Sequence, residues 1–100
     1  MKITKTINGA DFTLLLSGRI DTITCNLLDE EIDNLLNENC QKLILDFAEV
    51  DYISSAGLRV ILAAQKKVST QNLEFELTNL SESINNIFNI TGFSQILKIV

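Results

Sequence analysis

The segment Asp51-Tyr52-Ile53-Ser54-Ser55-Ala56-Gly57-Leu58-Arg59-Val60-Ile61-Leu62 decides how this chain is read. Two hydroxyl residues follow a stretch of strand character and precede an amphipathic run, so they fall where a helix begins. The first N–H groups of a helix have no intrahelical partners, and the helix dipole is positive at that end. A phosphate group is well received there. Ser54 and Ser55 therefore admit two readings. They are plain N-caps, accepting a hydrogen bond from the first turn, or Ser55 is a phosphorylation switch on a small interaction domain. A helix over residues 55–69 buries Leu58, Ile61, Leu62, Ala64 and Val68, and turns Arg59, Lys66 and Lys67 to the other side. The two lysines near its end complement the dipole. Gly57 costs about 1 kcal/mol against alanine inside a helix. In the first turn its missing side chain lets a partner or a neighbouring backbone come close.

Upstream, Leu43-Ile44-Leu45, flanked by Lys42 and Asp46 and followed by Phe47, is the continuous apolar run of a central strand buried on both faces. That reading puts Asp46 at the C-terminal end of a central strand, where open α/β sheets place their sites. Nearer the start, Ile3 and Ile7, then Phe12, Leu14 and Leu16, alternate at the strand period around Asn8-Gly9, a strong hairpin signal. Leu15 faces the other way, which implies some cover on both sides of the second strand. Gly18-Arg19-Ile20-Asp21 ends that strand, and Asp21 or Thr22 can cap a helix whose apolar stripe is Cys25, Leu28, Ile32, Leu35 and Leu36. The opposite face, with Asn26, Asp29, Glu30, Asp33 and Asn37, reads as solvated helix surface. Ile23 points away from the stripe and is a candidate partner contact.

Downstream, Leu73, Phe75 and Leu77 alternate with Glu74 and Glu76, the pattern of a strand with one buried and one wet face. A helix precedes it, so the connection is a crossover and the strand should run parallel to the one at Leu43. Ser81 opens a short helix that carries Ile84, Ile87 and Phe88 inward, with Gly92 as its stop. The last residues, 93–100, are expected to return as a helical turn and a final strand.

One hundred residues, 46% of them hydrophobic and none of them proline, suit a single folded domain. A chain of this size buries roughly 60 to 70% of its unfolded surface, enough for one core. Eight Lys and Arg against thirteen Asp and Glu give a formal charge of −5, a surface that repels nucleic acid and anionic lipid. The longest apolar run covers residues 60–64, far short of the roughly 20 needed to cross a membrane. No apolar leader stands at the N-terminus, so a cytoplasmic address is expected. Cys25 and Cys40 are widely spaced and the chain has no histidine, so neither a zinc site nor a cysteine–histidine nucleophile can be assembled. Both are expected as free thiols, Cys25 in the core.

The central segment, together with Leu43-Ile44-Leu45-Asp46-Phe47 and Gly18-Arg19-Ile20-Asp21, resembles the STAS-domain anti-sigma factor antagonists; the likeness runs over residues 12–97 and includes Ile90-Thr91-Gly92-Phe93. The resemblance implies an α/β fold: a single STAS-like domain, residues 1–100, with a mixed central sheet of four to five strands packed against helices. It implies that Ser55, two places before the motif glycine, takes phosphate from an anti-sigma factor serine kinase and loses it to a PP2C-type phosphatase. The unmodified surface of Asp21, Ile23, Ser54, Ala56, Gly57, Leu58 and Arg59 would then bind the anti-sigma factor, as a monomer and without a cofactor, and release it on phosphorylation. Many members carry aspartate immediately before the acceptor, where this chain has Ser54. A scaffold that is never phosphorylated, for example a docking subunit of a lipid-transport ATPase, is the second reading. A receiver-like phosphoacceptor at Asp46, with Asp51 or Asp21 holding magnesium, is a third. Autonomous catalysis is not expected, because Ser55 has no visible base partner and no histidine exists to supply one.

Overall fold

The hairpin closes one position later than Asn8-Gly9 suggests. In the computed structural model, which describes residues 1–100, Asn8 pairs with Asp11 and the two-residue loop is Gly9-Ala10. Only Gly9 of the pair has a positive φ, 66°, the pattern of a type II′ turn, which wants glycine first. This loop joins β1 (Lys2–Asn8) to β2 (Asp11–Ile20) in antiparallel register. All later pairings are parallel: β3 (Lys42–Ile53) on β2, β4 (Glu74–Thr78) on β3 and β5 (Lys98–Ile99) on β4. The result is a mixed five-stranded sheet in the order β1-β2-β3-β4-β5. Helices α1 (Cys25–Leu36), α2 (Ser55–Thr70) and α3 (Glu82–Ile90) form the crossovers, and a 3-10 turn at Phe93–Gln95 leads into β5. The expected α/β architecture is the observed one.

Alternate side chains of a strand share a face, and here Phe12, Leu14 and Leu16 of β2, Leu43, Leu45 and Phe47 of β3, and Phe75 and Leu77 of β4 are all buried. The stripe predicted for α1 is buried in full, Cys25 included. These residues form one continuous cluster with Leu58, Ile61, Ala64 and Val68 of α2 and Ile84 and Phe88 of α3. Phe88 meets Phe47 edge to face, with ring centroids 6.2 Å apart. Each fully buried leucine or isoleucine contributes about 1.5–3 kcal/mol relative to exposure. The other face of the sheet is open: Thr13, Leu15 and Ile44 are only half-buried. The two-sided burial expected for β2 and β3 is therefore not realised. Leu15 and Ile44 are apolar residues on a half-solvated face.

β3 is longer than its apolar run implies, and this corrects the placement of Asp46. Between Leu15↔Asp46 and Ile20↔Ile53, β3 carries two more residues than β2, taken up in two register shifts. Such bulges break the period of two, and the buried positions of β3 become Phe47, Val50 and Ile53. A spacing of three does not read as strand in a sequence. Asp46 consequently lies in mid-strand, where its carboxylate accepts from Ala48 N (2.9 Å) and Asn79 Nδ2 (3.0 Å) and ties β3 to the loop after β4.

Three charged positions also depart from expectation. Glu76 is not on a wet face but 9% exposed, held by Lys42 (3.3 Å) and Lys98 (2.9 Å) from the strands on either side. Asp29 and Asp33 of α1, read as solvated, grip Lys67 of α2 at 3.0 and 2.6 Å. That lysine thus clamps two helices together.

The hydrogen bond from Lys98, with a smaller share from Lys42, holds the Glu76 carboxyl below its ordinary 4.5 although burial opposes the shift. A depressed carboxylate pKa contributes stability above the unfolded value that is lost as pH falls through the folded one. Thermal unfolding followed from neutral pH downward should therefore show the native protein losing stability below pH 4.5 more steeply than Glu76→Gln.

Candidate functional site

The turn into α2 is built by three backbone and cap contacts. Ser54 N–H donates to Ile20 O (2.8 Å), anchoring the end of β3 to the end of β2. Ser54 is the N-cap, with extended backbone, and its Oγ accepts from Gly57 N–H (3.2 Å) while its carbonyl accepts from Leu58 N–H (2.9 Å). Of the two hydroxyls, then, one is spent on the cap. Ser55, the first helical residue, is exposed, and its hydroxyl has no hydrogen-bond partner in the chain.

Of the two neighbours that Gly57 could admit, a partner or the chain itself, the structure shows the chain. Gly57 is buried, and a Cβ placed there would lie 2.8 Å from Ile20 Cγ2, 2.9 Å from Ile53 Cγ1 and 3.0 Å from Ile20 O. What comes close is the Ile20 carbonyl and the side chains of Ile20 and Ile53, at the ends of β2 and β3. Leu58 is also in the core, at 7% exposure. Gly57 and Leu58 are thus withdrawn from the surface expected to meet a partner, because the first turn of α2 must press on the sheet. Ala56 is half-buried, and Arg59, one turn beyond Ser55, is exposed.

The Gly18 to Asp21 turn lies beside this helix tip through the Ser54–Ile20 bond. Asp21 does not cap α1 directly; the N-cap is Thr24, and α1 starts at Cys25. Asp21 Oδ1 instead accepts from Ile23 N–H (3.0 Å) and Thr24 N–H (3.1 Å), and Thr24 Oγ1 bonds Arg19 O at 2.7 Å. The Thr24 backbone bond, chiefly, holds the Asp21 carboxyl below its usual range. This knot presents Ile23 to solvent at 85% exposure, with Leu27 half out of the helix four residues on. Arg19 and Tyr52 complete the rim and were not singled out by the sequence. The guanidinium lies 4.2 Å from the ring centroid and reaches Asp21 Oδ2 at 3.6 Å. Their outward direction follows from Ile20 and Ile53 pointing in, and their contact from the register pair Arg19↔Tyr52.

Chemically, the site is a surface with one free hydroxyl. Histidine is absent from the chain, so Ser55 has no imidazole to activate it and must rely on an external base. Asp46, Asp51 and Asp21 do not gather: no three acidic or thiol side chains come together as metal ligands. With Asp46 in mid-strand, the receiver-like reading has no site. Cys25 and Cys40 are buried free thiols. No helix is long and apolar enough to cross a membrane.

Residues 2–100 match the family model described as the STAS domain. The anti-sigma-B factor antagonist of Bacillus subtilis (strain 168) is 32% identical over 92% of this chain and 84% of its own length. Among solved structures, the anti-sigma factor antagonist SpoIIAA in its unphosphorylated form superposes with a TM-score of 0.85 at 14% identity, covering 99% of this chain and 88% of that one. The phosphorylated form of the Bacillus cell fate determinant SpoIIAA gives 0.78 at 14% identity, over 99% and 91%. At that identity the structures speak to the fold.

The geometry separates the neighbouring positions by what their loss costs. Ser54→Ala should lower unfolding stability in urea by about 1 kcal/mol through the lost cap. Ser55→Ala should stay within about 0.5 kcal/mol of the native protein, as surface substitutions do. Gly57→Ala should cost about 1–3 kcal/mol, because Ile20 and Ile53 must give way to the added carbon.

Proposed function

Because this chain belongs to the STAS domain family, we propose that it is an anti-sigma factor antagonist, a protein-interaction domain whose binding is switched by phosphate on Ser55. The observation that carries this reading is the division of labour between two adjacent hydroxyls: Ser54 satisfied and half-buried, Ser55 exposed and free. A kinase can take hold of Ser55 without undoing the helix cap. The anti-sigma factor serine kinase would supply the base that removes the Ser55 hydroxyl proton as Oγ bonds the γ-phosphorus of ATP and ADP leaves. A PP2C-type phosphatase would return the serine by hydrolysis.

In the unmodified state, Ser55, Ala56 and Arg59 at the helix tip, with Asp21 and Ile23 on the adjoining turn, offer the anti-sigma factor a mixed apolar and charged surface. Occupied there, the anti-sigma factor frees the sigma factor it holds, so this protein regulates transcription without touching DNA. The reading places it in the cytoplasm and acting as a monomer. Phosphate adds about 1.5–2 negative charges to the contact. The helix dipole favours that charge by about 0.3–2 kcal/mol, so the fold tolerates it. Like-charge juxtaposition across an interface costs several kcal/mol, and each 1.4 kcal/mol is tenfold in affinity. Release therefore needs no large change of shape.

Incubation with ATP and the anti-sigma factor kinase should add one phosphoryl group by intact mass, and Ser55→Ala should abolish the gain while Ser54→Ala keeps it. An unmodified protein that still forms a stable complex would overturn the switch in favour of a scaffold. Ser55→Glu should weaken the complex at least tenfold by calorimetry, with thermal stability within about 1 kcal/mol of native.

A further inference from the structure

We propose that Arg59 is the internal clamp for the phosphate on Ser55, so that phosphorylation removes this arginine from the partner-binding surface as well as adding charge to it. The inference rests on Ser55 as the acceptor and deepens that reading.

Ser55 and Arg59 stand four residues apart at the start of α2, both exposed, and side chains at i and i+4 of a helix are neighbours on one face. Neither is engaged. The Ser55 hydroxyl has no partner, and the Arg59 guanidinium makes no ion pair, whereas the other cation of the rim, Arg19, is held by Asp21 and by the Tyr52 ring. The sequence of α2, SAGLRVILAAQKKVST, contains no acidic residue, so Arg59 has no carboxylate to compete for it on its own helix. The first anion to arrive within its reach is phosphate on Ser55. A guanidinium matches phosphate oxygens with two parallel hydrogen bonds, and an anion N-terminal to a cation at this spacing is the favourable order. A partner that reads Arg59 in the unmodified protein would find it folded back along the helix in the modified one.

Phosphoserine placed at position 55 during translation tests the clamp without depending on any kinase. Four proteins are compared, with and without the phosphate, in the native background and in Arg59→Gln, by thermal unfolding and by the NMR signal of Arg59 Nε–H in the native background. Phosphate should raise Tm by roughly 1–4 °C more in the native background than in Arg59→Gln, the excess should shrink in high salt, and the Nε–H signal should shift on phosphorylation. Equal Tm effects in the two backgrounds overturn the proposal, and so does an unmoved Nε–H signal. Should the native protein take no phosphate from ATP and the kinase, the acceptor reading fails by itself and the clamp measurement still stands.

Discussion

The contact on which this molecule depends is the close approach of Gly57 to Ile20 and Ile53. There is no room for a single carbon atom between the first turn of α2 and the ends of β2 and β3. That approach fixes the tilt and height of α2 on the sheet, and the Ser54 N–H to Ile20 O bond ties the same corner from the side. With Gly57 and Leu58 pressed inward, the helical period leaves Ser55 and Arg59 pointing out. The accessibility of Ser55 is thus a consequence of packing two and three residues away, at Gly57 and Leu58.

The corner has a second layer of support further along the two helices. Lys67, near the C-terminal end of α2, reaches Asp29 and Asp33, which lie one turn apart on α1. Arrangements of one cation between two carboxylates restrict side-chain freedom once for two ion pairs, and they set the helices against each other at a distance from the site. Glu76 serves in a similar way for the sheet, joining β3, β4 and β5 through Lys42 and Lys98. The short edge strand β5 has only two residues of ladder, and the triad adds to the buried Leu97 side chain and the Val100 N–H to Leu77 O bond that hold it.

The helix tip gives its two adjacent serines different surroundings. Ser54 has surrendered its oxygen to Gly57 N–H and half its surface to the chain, and phosphate there would cost the helix its cap. Ser55 carries neither burden. The neutral cap leaves the helix tip without a fixed negative charge from the preceding residue, and the first turn of α2 carries no acidic residue.

Much of this was legible in the order of the residues. The hairpin, the apolar stripes of α1 and, the half-buried Leu62 apart, of α2, the parallel β4 and the placement of Ser55 at a helix start all follow from local periodicity and end signals, because these depend only on residues a few positions apart. Tertiary structure decided what such short-range patterns cannot carry. The two extra residues of β3 turned its period from two to three and moved Asp46 into mid-strand, since a bulge is defined by the partner strand opposite it. The ion partners of Glu76, Asp29 and Asp33 come from strands and helices distant in sequence. The resemblance placed Gly57 and Leu58 on the partner surface while the helical period already buried Leu58, and the structure turns both to the core, because only the assembled sheet shows what the glycine must admit.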